Sequence, residues 1–134
     1  TAKINNLPQD EIWGTGSPKR EFLHVDDLAE ACYILMNERK EVFYKYVDGD
    51  SPHINIGYGS EISIRDLAYT ISDIIGYKGD INFDKTMPDG TERKLLDIEK
   101  IKLFGWKPRI KLNEGLKLTY KAFLDEHKGN SNEA

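Results

Sequence analysis

Cysteine is almost absent from this chain: Cys32 stands alone among 134 residues. One thiol can neither close an internal disulfide nor build a cysteine metal cluster, and a cytoplasmic location is the default for such a composition. Long apolar runs are missing too. None approaches the roughly 20 residues that span a bilayer, and no signal peptide is visible, so no membrane partner is expected. Positive charge is not in excess, with 19 Lys and Arg against 23 Asp and Glu and a net charge of −4. That balance argues against nucleic acid as a partner, although a local basic cluster can still hold a diphosphate.

Chemistry-bearing groupings are also scarce. His24, His53 and His127 lie far apart without a spaced carboxylate pattern, so no metal site is expected. No tyrosine has a lysine four places on, the pairing that lowers a tyrosine pKa for general-acid work. The residues found there are Asn37, Asp48, Asp50, Ile62, Asp73, Ile81 and Leu124. Gly57-Tyr58-Gly59 is no dinucleotide loop, which needs three spaced glycines between a strand and a helix. Neither a catalytic nor a cofactor-binding residue is expected, and the chain alone should be catalytically silent.

What is present is concentrated in Trp13 to Asp27, WGTGSPKREFLHVDD. An aromatic precedes a turn built on Gly14, Gly16 and Pro18; then come Lys19, Arg20 and a helix start at His24-Val25-Asp26-Asp27. A turn that lifts a ring and a guanidinium to one rim suits a flat, phosphate-bearing ligand. The plainer alternative is a strand-turn-strand with a packed Trp and a surface Arg.

The length suits one domain. Glu11-Ile12-Trp13 reads as a short strand. Val25, Leu28, Ala29, Cys32, Leu35 and Met36 recur at helical spacing and are expected to form a buried face, with His24 or Asp26 as cap and Cys32 as a small buried hydrophobe. Residues 37–52 read as an aromatic-rich connecting loop without assigned function, and His53-Ile54-Asn55-Ile56 as a strand. A second helix starts at Ser63 with Asp66 three places on, and ends at Gly76. Its apolar face, Ile64, Leu67, Ala68, Ile71, Ile74 and Ile75, is expected to be core. Residues 80–84 alternate as a half-buried strand. A Met87-Pro88-Asp89-Gly90 turn then leads to Arg93 and Lys94, and Asp97 is expected to cap a short helix closed by Gly105. A carboxylate on such a turn can accept from a ribose or sugar hydroxyl, and a nearby cation can neutralise a diphosphate; a solvated loop is the plainer reading. The last helix buries Leu112, Leu116, Tyr120, Phe123 and Leu124; Lys111 at its start is a poor cap. A polar tail, residues 128–134, follows and is expected to be disordered.

Four segments carry a resemblance. Residues 13–29 resemble the WGxGxPxREFxHVDDLA segment of the GDP-L-fucose synthase family, among the extended short-chain dehydrogenase/reductases. Residues 53–59 resemble its HINIGxG, residues 88–97 its PDGTPRKLLD, and residues 103–108 its LGWxP. The narrow mark is PDGTERKLLD beside WGTGSPKREF. The resemblance implies an α/β fold (α+β in isolation) of three to four helices and short strands, with residues 1–127 as the substrate-binding, carboxyl-terminal domain of a longer enzyme. It implies that His53–Ile56 joins the edge of the absent domain's parallel sheet. It further implies a GDP-sugar substrate, GDP-4-keto-6-deoxy-D-mannose, epimerised at C3 and C5 and reduced at C4, with NADPH held by the absent domain. A homodimer is implied for the longer enzyme and self-association for this piece. By matched motif, Trp13 would line the nucleotide or sugar pocket, Arg20 and Lys94 would bear on the diphosphate, and Asp89 would hold a hydroxyl or the base. Arg93 is a second candidate for phosphate. Glu92 stands where the family has Pro, which loosens that loop and with it the aim of Arg93. Alternatives are another nucleotide-sugar epimerase or dehydratase, or a non-catalytic nucleotide-binding module.

Overall fold

The computed structural model describes residues 2–50 and 52–130, without the side chains of 128–130. The chain divides into two compact units, one of residues 1–19, 62–93 and 112–134, the other of residues 20–61 and 94–111.

In the first unit, β1 (Gln9–Trp13) pairs in parallel with β4 (Asp80–Asp84), in a register that sets Gln9 opposite Asp80 and Trp13 opposite Asp84. Parallel strands need a crossover between them, and the part of this one that belongs to the first unit carries α3 (Ile64–Ile75). Its start follows from local chemistry. The Ser63 hydroxyl accepts the Asp66 N–H at 3.0 Å, and Gly76 closes the helix at φ +69°, where a Cβ would be strained. Helix α5 (Leu112–Asn130) lies against α3. Lys3 Nζ donates to Tyr120 Oη at 3.1 Å and to the Ile75 carbonyl, and Tyr77 Oη donates to the Leu7 carbonyl at 3.1 Å. Desolvation, then the charges of Asp10 and Asp80, raise the Tyr77 pKa. The expected core face of α3 is half-buried rather than buried, with Ile71 exposed. Ala68, Ile71, Ser72 and Ile75 instead share with Ile12 and Ile81 the wall of an apolar cavity of about 240 Å³.

The second unit carries α1 (Val25–Asn37), α2 (Lys40–Tyr46) and α4 (Glu99–Lys102). Its core is Ala31, Ile98, Ile101 and Trp106, flanked by Leu23, Ile34, Leu35, Ile54 and Ile56. His24 caps α1, its Nδ1 accepting the Asp26 N–H at 3.2 Å. The buried face of α1 differs from the expected one. Asp27, Ala31, Ile34 and Leu35 face inward, while Val25, Leu28, Ala29, Cys32 and Met36 (84 % exposed) form an outward apolar stripe, roughly a third of a turn away. Cys32 is therefore exposed, not the buried hydrophobe expected. The reason is Asp27, only 3 % exposed, whose Oδ2 accepts the N–H groups of Arg109 and Ile110 at 3.1 and 2.9 Å and turns the helix toward that segment.

The expected loop at 37–52 contains α2, whose Phe43 and Tyr46 rings pack on Phe104 with centroids 6.0 and 5.5 Å apart. His53–Ile56 is not a strand in this structure: Ile54 and Ile56 reach the core, but no neighbouring strand completes a ladder. Asp97 accepts the Glu99 N–H at 2.9 Å and so caps α4 from one residue before its boundary, Ile98. Helix α5 continues through residue 130; the rest of the expected tail lies outside the described residues. Two-residue strands β2 (Lys19–Arg20), β3 (Ile62–Ser63) and β5 (Arg93–Lys94) occur where the chain passes between units.

Candidate functional site

Trp13 ends β1 and is 68 % exposed. In open sheets, ligands favour the carboxyl ends of parallel strands. Trp13 and Asp84 mark that end here, and the loop carrying Asp89 leaves it. The Gly14 N–H donates to the Asp84 carbonyl at 2.8 Å, extending the ladder one residue. A turn then follows with Gly14 at φ +84° and Gly16 at φ +75°, the left-handed region that glycine enters without strain.

Asp89 holds this turn. Its Oδ1 accepts the Thr15 N–H at 2.8 Å and its Oδ2 accepts the Thr15 hydroxyl at 2.7 Å. The sequence placed Asp89 against a ligand hydroxyl or the base; in this structure both of its oxygens accept hydrogen bonds from Thr15. From the other side Arg65 donates through Nη2 to the Thr15 carbonyl, its guanidinium lying 3.9 Å from the Phe83 ring centroid. The first α3 amides complete the grip: Ile64 N–H donates to the Pro18 carbonyl at 3.0 Å and Arg65 N–H to that of Gly16 at 2.9 Å. Just past β4, the hydroxyl and N–H of Thr86 donate to Asp84, which lowers the Asp84 pKa.

Trp13 and Asp89 thus belong to the first unit. Arg20 and Lys94 belong to the second, Arg20 half-buried on β2 and Lys94 exposed on β5. Beside them, the Glu21 carboxylate accepts the N–H of Gly59 and, at 3.2 Å, that of Leu96, two residues beyond Lys94. Arg93, exposed, shares β5 with Lys94. Sequence reasoning overlooked Thr15, Arg65 and Glu21. Arg65 stands in the first turn of α3, and nothing local to it signals a partner fifty residues away. Among the described residues no group of His, Cys, Asp or Glu could hold a metal ion, and no helix is long and apolar enough to cross a membrane.

Residues 1–57 match the NAD dependent epimerase/dehydratase family. A putative GDP-L-fucose synthase of Arabidopsis thaliana is 45% identical over 92% of this chain and 35% of its own length. The chain resembles GDP-L-fucose synthases along nearly its whole length. Both marker segments, WGTGSPKREF and PDGTERKLLD, lie within that span. A solved GDP-6-OMe-4-keto-L-xylo-heptose reductase of Campylobacter jejuni superimposes with a TM-score of 0.78 at 37% identity, over 92% of this chain and 37% of that one. A GDP-D-glycero-L-gluco-heptose synthase of the same organism, solved in the presence of NADPH, gives 0.73 at 40% identity, over 86% and 33%. The fold is that of the α/β reductases and epimerases, and the chain spans about a third of the length of the relatives it matches.

Proposed function

We propose that these residues form the substrate-binding region of a GDP-L-fucose synthase, which converts GDP-4-keto-6-deoxy-D-mannose to GDP-L-fucose by 3,5-epimerisation and NADPH-dependent 4-reduction. The observation that carries this reading is the 45% identity spanning both marker segments. In this reading the Trp13 ring offers a stacking face to the nucleotide or sugar, and Arg20 and Lys94 supply the charge that a diphosphate needs. Arg93 is a further candidate for phosphate. NADPH would be held by parts of the longer enzyme, which would also supply the proton donor.

A second reading keeps the GDP and changes the sugar. The two solved relatives are named for GDP-linked heptoses.

Calorimetry of GDP with the 134-residue chain at low and high salt tests the nucleotide half. Weak binding is expected, weakened further by salt and lowered roughly 10- to 100-fold by Arg20→Ala, the usual range for a charged hydrogen bond. Absent heats, or heats indifferent to that substitution, refute it. Turnover of GDP-4-keto-6-deoxymannose against GDP-keto-heptoses by the longer enzyme decides the sugar.

A further inference from the structure

We infer that Arg65 and Asp89 are positioning residues: together they clamp Thr15 from both sides and thereby fix the orientation of Trp13 toward a nucleotide. The inference rests on the nucleotide role proposed for Trp13. Thr15 has three polar groups, and each is taken. Its N–H and hydroxyl go to the two oxygens of Asp89, at 2.8 and 2.7 Å, and its carbonyl goes to Arg65. Arg65 is itself held, its guanidinium carbon 3.9 Å from the Phe83 ring centroid and its N–H on the Gly16 carbonyl.

The two glycines beside Thr15 explain why this grip is tight. A Cβ at Gly14 would run into the Asp89 carboxylate, and one at Gly16 would run into the Phe83 ring and Arg65. The turn is therefore wedged between a carboxylate and a cation-covered ring, with no side chains at positions 14 and 16 to hold the clamp open. Trp13 is the last residue of β1 and joins this turn directly, so the backbone that aims its ring has little freedom. An Arg spread over a ring and bonded inward is poorly placed to reach a phosphate, and Asp89 would have to release Thr15 to give a ligand undivided hydrogen bonds. Both residues then act on a ligand through Thr15 and Trp13, not by touching it.

Amide exchange and backbone order parameters of the 134-residue chain, with GDP titrations, test this. Thr15 should be a protected amide in the unaltered chain, with order parameters at residues 14–16 near the rigid value of about 0.85. Asp89→Ala and Arg65→Met should each cut Thr15 protection at least about tenfold and drop those order parameters below about 0.6, leaving the centre of α5 unchanged. Arg65→Lys should recover part of the loss. GDP affinity should fall about tenfold in both variants while keeping the salt dependence of the unaltered chain. An unprotected Thr15 amide in the unaltered chain overturns the clamp, and that measurement stands even if a variant fails to fold. A turn still rigid in either variant overturns it too. Loss of salt dependence in Arg65→Met would make Arg65 a phosphate contact and end the positioning role. If the unaltered chain binds no GDP, the functional reading falls and the exchange data alone judge the clamp.

Discussion

Asp27 offers the sharpest stability test. One of its oxygens, Oδ2, accepts two main-chain N–H groups, those of Arg109 and Ile110, and the residue is 3 % exposed. Alanine at this position leaves both donors without the acceptor that the nearly buried Asp27 carboxylate supplies. An orphaned buried donor costs about 1–3 kcal/mol, so Asp27→Ala should cost about 2–6 kcal/mol, against roughly 5–15 kcal/mol for a whole domain. Asparagine is different in kind. Its carbonyl oxygen also has two lone pairs and can keep both donors satisfied, losing only the help of the charge. Hydrogen bonds to charged groups are worth about 1.5–3 kcal/mol and neutral ones about 0.5–1.5, so Asp27→Asn should cost about 1–3 kcal/mol. Urea unfolding followed by tryptophan fluorescence, in which Trp106 goes from 2 % exposed to solvated, reads both variants. An alanine variant within about 1 kcal/mol of the unaltered chain, or an asparagine variant worse than alanine, would refute the reasoning.

Two further outcomes are expected. The outward stripe of Val25, Leu28, Ala29, Cys32 and Met36 on α1 should drive concentration-dependent association of the 134-residue chain; sedimentation should show Met36→Glu shifting it toward monomer, and a monomer at every concentration without substitution contradicts this. The Asp84 carboxyl, held below its ordinary value of 3.8 by Thr86, stabilises the folded chain above that pH. Its contribution fades as pH falls through the depressed value. The Thr86 amide shift should report a midpoint below 3.8, and Thr86→Ala should raise it; an unmoved midpoint assigns the effect elsewhere.

Where one residue's local chemistry decides structure, the sequence was a sound guide. Ser63 with Asp66, Gly76 and the glycine-rich turn after Trp13 all stand where their chemistry places them. The helical period of α1 was legible, but its direction was not. An apolar stripe marks a face without naming what covers it, and here a single carboxylate with two distant amides turned the helix the other way. For α2, weak local signals won through packing of Phe43 and Tyr46 on Phe104, a contact sixty residues long in sequence. The candidate site was half legible. Trp13 and Asp89 could be picked out by type and motif. Whether Asp89 bonds a ligand or Thr15 depends on a loop closing seventy-four residues away, which no window of sequence contains.

The amides that open α3 donate to the carbonyls of Gly16 and Pro18. The loop beside Trp13 therefore doubles as the socket of a helix. A residue inserted or deleted between positions 14 and 18 would be felt as fraying at Ile64 before any ligand was met. Such length changes should consequently be tolerated less well than changes of side chain at Ser17, and selection for a sound helix alone would keep the loop's shape.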